Sequence, residues 1–361
     1  MITQRACALA IAALAACGGT YPKGKTTPAV TGDPAVKRDS TVASAGADEP
    51  EEAEDPDLVL PPGGIAASAL PYDILDARTG HQVDEATFWS RLAAARAVCV
   101  GEEHPNPHHH WVQLHVVQEL LSRYPKSERM GLGLEMIQRP FQGVVDDYVS
   151  HRIDAAAFTS RIGWEDRWGY NFELYHPTLD AAIAGGGTVL ALNASRELTK
   201  KVSHHGLESL SADERAQVPQ LKLDDPRHRA WFDALMDSMG GGAAHSAHAP
   251  ASTSAADAAA SPHGDLPEMP SAERIYTVQV LWDETMADTG AKWLAANPTG
   301  HLVILAGTGH CHDSAIVGRL ARRAVPSPLS IRAVIDTEGA VAEALASPMN
   351  DFLVVLKRPK P

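Results

Sequence analysis

The chain has 361 residues and a formal net charge of −14, and 6% of its residues are aromatic. The acidic balance argues against a nucleic-acid partner and against electrostatic adhesion to an anionic membrane. The chain after its first 66 residues is long enough to form one domain with a sizeable core.

The first residues predict export. Residues 1–16 contain Arg5 and an apolar run from residue 6 to residue 16, which is too short to span a bilayer and is typical of a signal peptide. The segment Leu-Ala-Ala-Cys that ends at Cys17 resembles the lipobox of bacterial lipoproteins, so Cys17 is the expected lipidation site; an ordinary signal peptide is the alternative. Gly18 after the cysteine favours the outer membrane. We therefore expect an exported protein that is attached to the cell envelope through a lipid anchor only.

Two low-complexity segments flank or interrupt the expected domain. Residues 17–66 lack a periodic apolar pattern and contain an acidic run at 48–57, which predicts a disordered acidic tether. Residues 240–270 begin with three glycines and continue with Ala, Ser, Pro and three histidines, which predicts a flexible insertion. The folded domain is therefore expected to span residues 67–361, with this insertion inside it.

Apolar runs alternate with helical patterns through the rest of the chain. The predicted strands are Ala97–Val100, Met130–Met136, Thr188–Leu192, Leu302–Ala306, Ile331–Ile335 and Phe352–Leu356. The predicted helices are Glu85–Arg96, Pro107–Arg123, Phe141–Ser150, His176–Ala184 and Ala272–Ala296. This alternation, with nearly continuous apolar strands, predicts a single α/β domain: a largely parallel central sheet flanked by helices, with a ligand crevice at the carboxyl edge of the strands.

Two distant segments share one construction, an apolar run followed by glycine and, three residues later, histidine. The first segment contains Gly101 and His104, and the second contains Gly307 and His310. Each is expected to place an imidazole at the carboxyl end of a buried strand, so that one site draws on both ends of the domain.

Other polar residues end or follow apolar strands. Glu102, Glu135 and Asn193 each stand at such a position. Because a lone carboxylate is costly to bury without a partner, their convergence on one crevice explains them better than isolated burial does.

Two helices carry further polar candidates. Asn106-Pro107 is a helix-start signal, and on the helix that follows, His110 lies on the core face while His108 and His109 are expected at the surface. On the helix at 272–296, the face with Gln279, Asp283 and Met286 is expected to line the crevice; plain core packing is the alternative.

Cys99 and Cys311 are the two cysteines of the expected domain. Export permits a disulfide between them. Two buried thiols on core strands are the simpler interpretation, and we favour it.

Several motifs resemble one known family. The motifs are GEEHPNPHHH, GLGLEMIQRPFQGVVDDYV, RWGYNFELYHP, ALNASREL, QVLWDETMA and ILAGTGH, and they occur in this order between Val98 and His312. This combination resembles the ChaN-type haem-binding uptake proteins of the Tiki superfamily.

The resemblance implies a haem-binding lipoprotein of the cell envelope that takes part in haem and iron uptake. A haem site needs an axial ligand, apolar walls and cations for the propionates. Tyr170, Tyr175 and His176 are the candidate ligands, with Arg167 beside them and His110 near the site. Whether two chains form a homodimer around the haem stays open.

The wider superfamily implies an alternative, a metal-dependent hydrolase or peptidase that binds a divalent ion. Its candidate residues are His104 and His310 as ligands, Glu102 and Glu135 as third ligand and general base, and Asn193 and Arg139 as groups that stabilise negative charge. A purely structural envelope lipoprotein is a third interpretation.

Overall fold

The computed structural model describes residues 58–124, 129–238 and 270–358. The predicted signal peptide, Cys17, the tether up to residue 57 and residues 240–269 of the predicted insertion lie outside them. In these ranges no helix is both long and apolar enough to cross a membrane.

The described chain contains one seven-stranded sheet. Its strands are β1 (Tyr72–Asp76), β2 (Ala97–Glu102), β3 (Met130–Gln138), β4 (Thr188–Asn193), β5 (His301–Gly307), β6 (Leu329–Ile335) and β7 (Phe352–Leu356). Their order is β1-β7-β6-β2-β5-β3-β4, and all neighbours are parallel except β1 and β7. The α/β fold with a largely parallel sheet is confirmed.

Helices cover both faces of this sheet. They are α1 (Glu85–Ala94), α2 (Pro107–Arg123), α3 (Gln142–Val149), α4 (Ala155–Ile162), α5 (Trp164–Arg167), α6 (His176–Ala184), α7 (Arg196–His205), α8 (Ala212–Ala216), α9 (Pro226–Ser238), α10 (Ala272–Ala296), α11 (Ile316–Arg322) and α12 (Ala340–Ala346). Short 3₁₀ helices occupy Ile65–Ser68, Arg139–Phe141, Phe172–Leu174 and Leu207–Ser209.

The predicted bounds of α2, α6 and α10 coincide with the observed ones, and local capping explains two of them. The Asn106 side chain accepts hydrogen bonds from the first amides of α2, and Pro107 opens that helix. Ser271 caps α10 in the same way through the amide of Arg274. The edge strand β1 was not predicted because its pattern, Tyr-Asp-Ile-Leu-Asp, buries one residue of five.

Alternate residues of the central strands enter two different cores. Val98 and Val100 of β2 pack with α1, α2 and α6 on one face, whereas Ala97 and Cys99 pack with α7, α10 and α11 on the other. This period of two is what a parallel sheet covered on both faces requires.

Three features differ from the sequence-based expectations. Cys99 and Cys311 form a disulfide with a Cα–Cα distance of 5.3 Å, so the favoured prediction of two thiols is wrong. β2 and β5 are adjacent parallel strands, and the loop after β5 brings Cys311 to Cys99. His109 was expected at the surface but is 1% exposed, and its Nδ1 accepts a hydrogen bond from the Glu103 amide. Ile65, placed in the predicted tether, is buried.

Candidate functional site

The carboxyl ends of the three central strands bring the predicted polar residues together. β5 lies between β2 and β3. Glu102 is the last residue of β2, Glu135 lies near the end of β3, and His310 follows β5 by three residues. All three are at least 95% buried. The convergence expected from the sequence is therefore present in the structure.

Glu102 is the centre of the first half of this buried cluster. Its Oε1 accepts hydrogen bonds from His104 Nδ1 at 2.9 Å and from the Tyr175 hydroxyl at 3.0 Å. His110 Nδ1 lies 3.0 Å from its Oε2. Burial alone would raise the pKa of Glu102, but the neighbouring His110 and His104 lower it below its usual value. Glu102 therefore stays ionised and orients three side chains.

His104 is held in one orientation by this carboxylate. Because Nδ1 faces Glu102, Nε2 points away from it, and it forms no hydrogen bond with any residue that the structure describes. Trp168 and Tyr170 pack against the ring with centroid distances of 4.7 and 5.0 Å. Burial lowers the pKa of His104, yet Glu102 raises it above the ordinary histidine value on balance.

Glu135 and His310 form the second half. The Gly307 amide donates to Glu135 Oε2 at 2.7 Å, and His310 Nε2 lies 3.3 Å from Glu135 Oε1. A Cβ on Gly307 would stand 2.8 Å from His104 Cε1. The His104 ring therefore packs directly against Gly307, and this contact joins the two halves of the cluster.

Helix α10 supports His310 from the side opposite Glu135. Asp283 Oδ1 accepts a hydrogen bond from His310 Nδ1 at 2.7 Å, and Gln279 Nε2 lies 3.2 Å from the same nitrogen. Burial disfavours the charged imidazole, but Glu135 and Asp283 together raise the pKa of His310 to about 9. On this face of α10, Gln279 and Asp283 contact His310, whereas Met286 packs in the core.

Two buried residues that the sequence analysis missed complete the surroundings of Asp283. His228 Nε2 lies 3.0 Å from Asp283 Oδ2, and the Arg319 guanidinium lies 3.6 Å from the same oxygen. Burial would raise the pKa of Asp283, but Arg319 and His310 hold it far below its usual value. No motif surrounds His228 in the sequence, so no signal pointed to it.

Other predicted site residues lie apart from this cluster. The side chain of Asn193 accepts a hydrogen bond from the Ala194 amide, and Arg139 donates to the Gln217 carbonyl. Neither side chain forms a hydrogen bond or an ion pair with Glu135 or His310. His176 lies 3.0 Å from the Tyr148 hydroxyl and forms ion pairs with Glu173 and Asp180.

Arg167 lines a cleft that lies beside this cluster. It precedes Trp168 in sequence, and its guanidinium lies above the Phe141 ring while donating to Gln138 at the end of β3. The cleft has a volume of about 570 Å³. This volume is within the range of small-molecule sites.

The residues as placed do not form a divalent metal site. Throughout the described ranges, no group of three or more His, Cys, Asp or Glu side chains is arranged to hold a metal ion.

Comparison with known proteins identifies the family. The family model described as haem-binding uptake, Tiki superfamily, ChaN matches residues 88–320. The chain belongs to this ChaN family. The matched region contains Glu102, His104, Glu135, Asp283 and His310, so the family region includes both halves of the crevice.

One solved structure agrees with this assignment at the level of the fold. ChaN of Campylobacter jejuni, described with cofacial haem binding, has a TM-score of 0.56 and 15% identity; the match covers 80% of this ChaN-family chain and 97% of that chain. An erythromycin esterase mutant in its open conformation follows with a TM-score of 0.36 and 12% identity, covering 80% and 83%. The type III effector HopBA1 has a TM-score of 0.35 and 9% identity, covering 84% and 100%. No curated protein matches the chain.

Proposed function

We propose that this chain binds haem at the carboxyl-edge crevice, with Tyr170 as the axial ligand. The observation that carries the proposal is the match to a haem-binding family over residues 88–320, the region that builds the crevice. The fold shared with ChaN of Campylobacter jejuni supports it.

Exposure and position favour Tyr170 among the three candidate ligands, because it is partly exposed and lies next to His104. The Tyr175 hydroxyl is buried and donates to Glu102, and the ring nitrogens of His176 face Tyr148, Glu173 and Asp180. Tyr170 is partly exposed, and its ring packs against His104. A tyrosine side chain that is partly exposed to solvent is a better candidate for an incoming iron porphyrin than the fully buried Tyr175.

The surroundings of Tyr170 fit such a ligand. Trp168 supplies an apolar wall at a ring distance of 5.6 Å, and Arg167 places a cation beside it. The Nε2 atom of His104, fixed by Glu102, offers a hydrogen-bonding group at the same place. When bound, haem would supply an iron centre whose axial position a tyrosine oxygen can take.

We further propose that haem binding serves haem and iron uptake at the cell envelope, with the protein attached through a lipid on Cys17. The signal-like residues 1–16 and the lipobox-like segment support this role. The metal-dependent hydrolase remains a sequence-based prediction that no contact among the described residues favours.

A hemin titration of the full mature chain tests the proposal. We expect a saturable shift of the Soret band for the wild type and at least about ten-fold weaker binding for Tyr170→Phe, since the axial bond is lost. Tyr72→Phe is the matched control, because Tyr72 lies on β1 at the far edge of the sheet. Wild-type binding that does not saturate contradicts haem binding, whereas unchanged binding by Tyr170→Phe contradicts the ligand alone.

A further inference from the structure

The cleft beside Arg167 has a charge opposite to that of the whole chain. Arg161, Arg167, Arg196 and Lys200 line it, against the two carboxylates of Asp166 and Glu197. The chain carries a net charge of −14, so a local excess of cations is not what its composition would produce by default. Such an excess at a concave surface favours an anionic ligand.

Two of these cations have no carboxylate partner in the part of the chain that the structure describes. Arg161 forms an ion pair with Asp147, and Arg167 pairs with Glu197. Arg196 donates to the Asp166 carbonyl, and the structure places no carboxylate of a described residue within ion-pair distance of Arg196 or Lys200. These two positive charges therefore stay available to a bound anion.

The cleft adjoins the proposed haem crevice through adjacent residues. Arg167 lines the cleft, and the next residue, Trp168, packs against His104. Gln138, the last residue of β3, accepts hydrogen bonds from both Arg167 and the Arg196 amide, which ties the cleft to the strand that carries Glu135. Phe141 adds an apolar wall under the Arg167 guanidinium.

We propose that this cleft binds the carboxylate edge of the porphyrin, with Arg196 and Lys200 as the groups that pair with the propionates. The proposal rests on the proposed haem function and assigns a second contact surface to it. Charge-assisted hydrogen bonds from guanidinium and ammonium groups to carboxylates supply the affinity, and the apolar side of the macrocycle faces Trp168.

Metal-free protoporphyrin IX and its dimethyl ester, titrated into the full mature chain by fluorescence, test the cleft without the iron–tyrosine bond. The double variant Arg196→Gln/Lys200→Gln should bind protoporphyrin IX at least about ten-fold more weakly, while its affinity for the uncharged ester stays within about two-fold of the wild type. The difference should shrink at high salt, because exposed charges are screened.

The matched control removes the same charge near the same helix. Lys201→Gln/Arg215→Gln changes Lys201, which pairs with Glu214, and Arg215, which donates to the Leu207 carbonyl. It should bind both porphyrins like the wild type. If Arg196→Gln lowers the melting temperature, the single variant Lys200→Glu, at an exposed position, replaces it.

The outcomes separate this proposal from the haem proposal. If the wild type binds hemin and the cleft variants bind protoporphyrin IX as tightly as the wild type does, the cleft proposal alone is overturned. If the substitutions weaken the binding of protoporphyrin IX and of its dimethyl ester equally, the cleft proposal is also overturned. The substitutions then act on structure rather than on charge pairing. Absence of binding by the wild type to hemin and to both porphyrins overturns both proposals.

Discussion

At the residue scale, the buried cluster contains two histidines whose Nδ1 atoms each face a carboxylate. Glu102 holds His104, and Asp283 holds His310. In both cases Nδ1 faces this carboxylate, and His310 Nε2 lies 3.3 Å from a second carboxylate, that of Glu135. Because charges so buried are stable only when paired, these residues determine each other's ionisation as well as their positions.

Replacing Asp283 should expose this dependence. In Asp283→Asn the pKa of His310 should fall from about 9 toward or below the ordinary 6.5, because burial then has one less opposing charge. Histidine resonances followed by NMR across pH, assigned with a His310→Gln variant, measure it. Asp288→Asn on the same helix is the control; a His310 pKa that stays near 9 in Asp283→Asn would contradict the assigned role.

The raised pKa of His310 also makes the stability of the fold depend on pH. The folded-state pKa of His310 is raised, so its contribution is complete below about pH 6.5 and is lost as pH rises to about 9. We expect up to about 3 kcal/mol of the free energy of unfolding to disappear over this window. Urea unfolding at several pH values measures the slope, which should be flatter in Asp283→Asn; equal slopes would refute this linkage.

At the element scale, close packing of β3 depends on residues without side chains. A Cβ on Gly133 would lie 2.6 Å from Leu192 Cδ1, and one on Gly131 would lie 3.0 Å from the Trp293 ring. β3 therefore has glycines at the positions where side chains of β4 and α10 pack closely against it. Gly143 in the first turn of α3 is the opposite case, because nothing lies within 4 Å of its would-be Cβ.

Two alanine substitutions should consequently have opposite effects. Gly133→Ala should lower the free energy of unfolding by about 1–3 kcal/mol through overpacking. Gly143→Ala should raise it by about 0.5 kcal/mol, since alanine costs less conformational entropy in a helix. Chemical denaturation of both variants beside the wild type decides; the same sign for both would show that these local contacts do not control stability.

At the scale of the whole molecule, the disulfide joins segments 212 residues apart in sequence. It ties β2 to the loop that carries His310, and both sulfur-bearing residues are fully buried. The loop it closes contains β3, β4 and α10, so it constrains most of the unfolded domain.

Removing this cross-link should therefore be costly. The chain-entropy relation for so long a loop gives about 5 kcal/mol, from which strain in the native state subtracts. We expect Cys99→Ala/Cys311→Ala to unfold at clearly lower denaturant concentration than the oxidised wild type, and a reducing agent to shift only the wild type. Coinciding unfolding curves for the oxidised wild type and the variant would contradict a stabilising bridge.

The sequence alone determined the features that depend on local patterns. Strands from Ala97 to Leu356 were recognisable because both faces of a parallel sheet are buried, and α2 and α10 begin where Asn106 and Ser271 cap them. The two Gly-x-x-His segments identified the edge of the sheet at which the polar residues converge, because parallel strands end at a common edge.

Tertiary structure alone decided the contacts between distant segments. That Tyr175 donates to Glu102, that His228 meets Asp283 and that Cys99 bonds Cys311 all depend on strand order and on how helices cross the sheet. The burial of His109, whose Nδ1 accepts a hydrogen bond from the Glu103 amide, was likewise evident only in the structure. Such pairings are set by the packing free energy of the whole domain, which no local pattern of the sequence encodes.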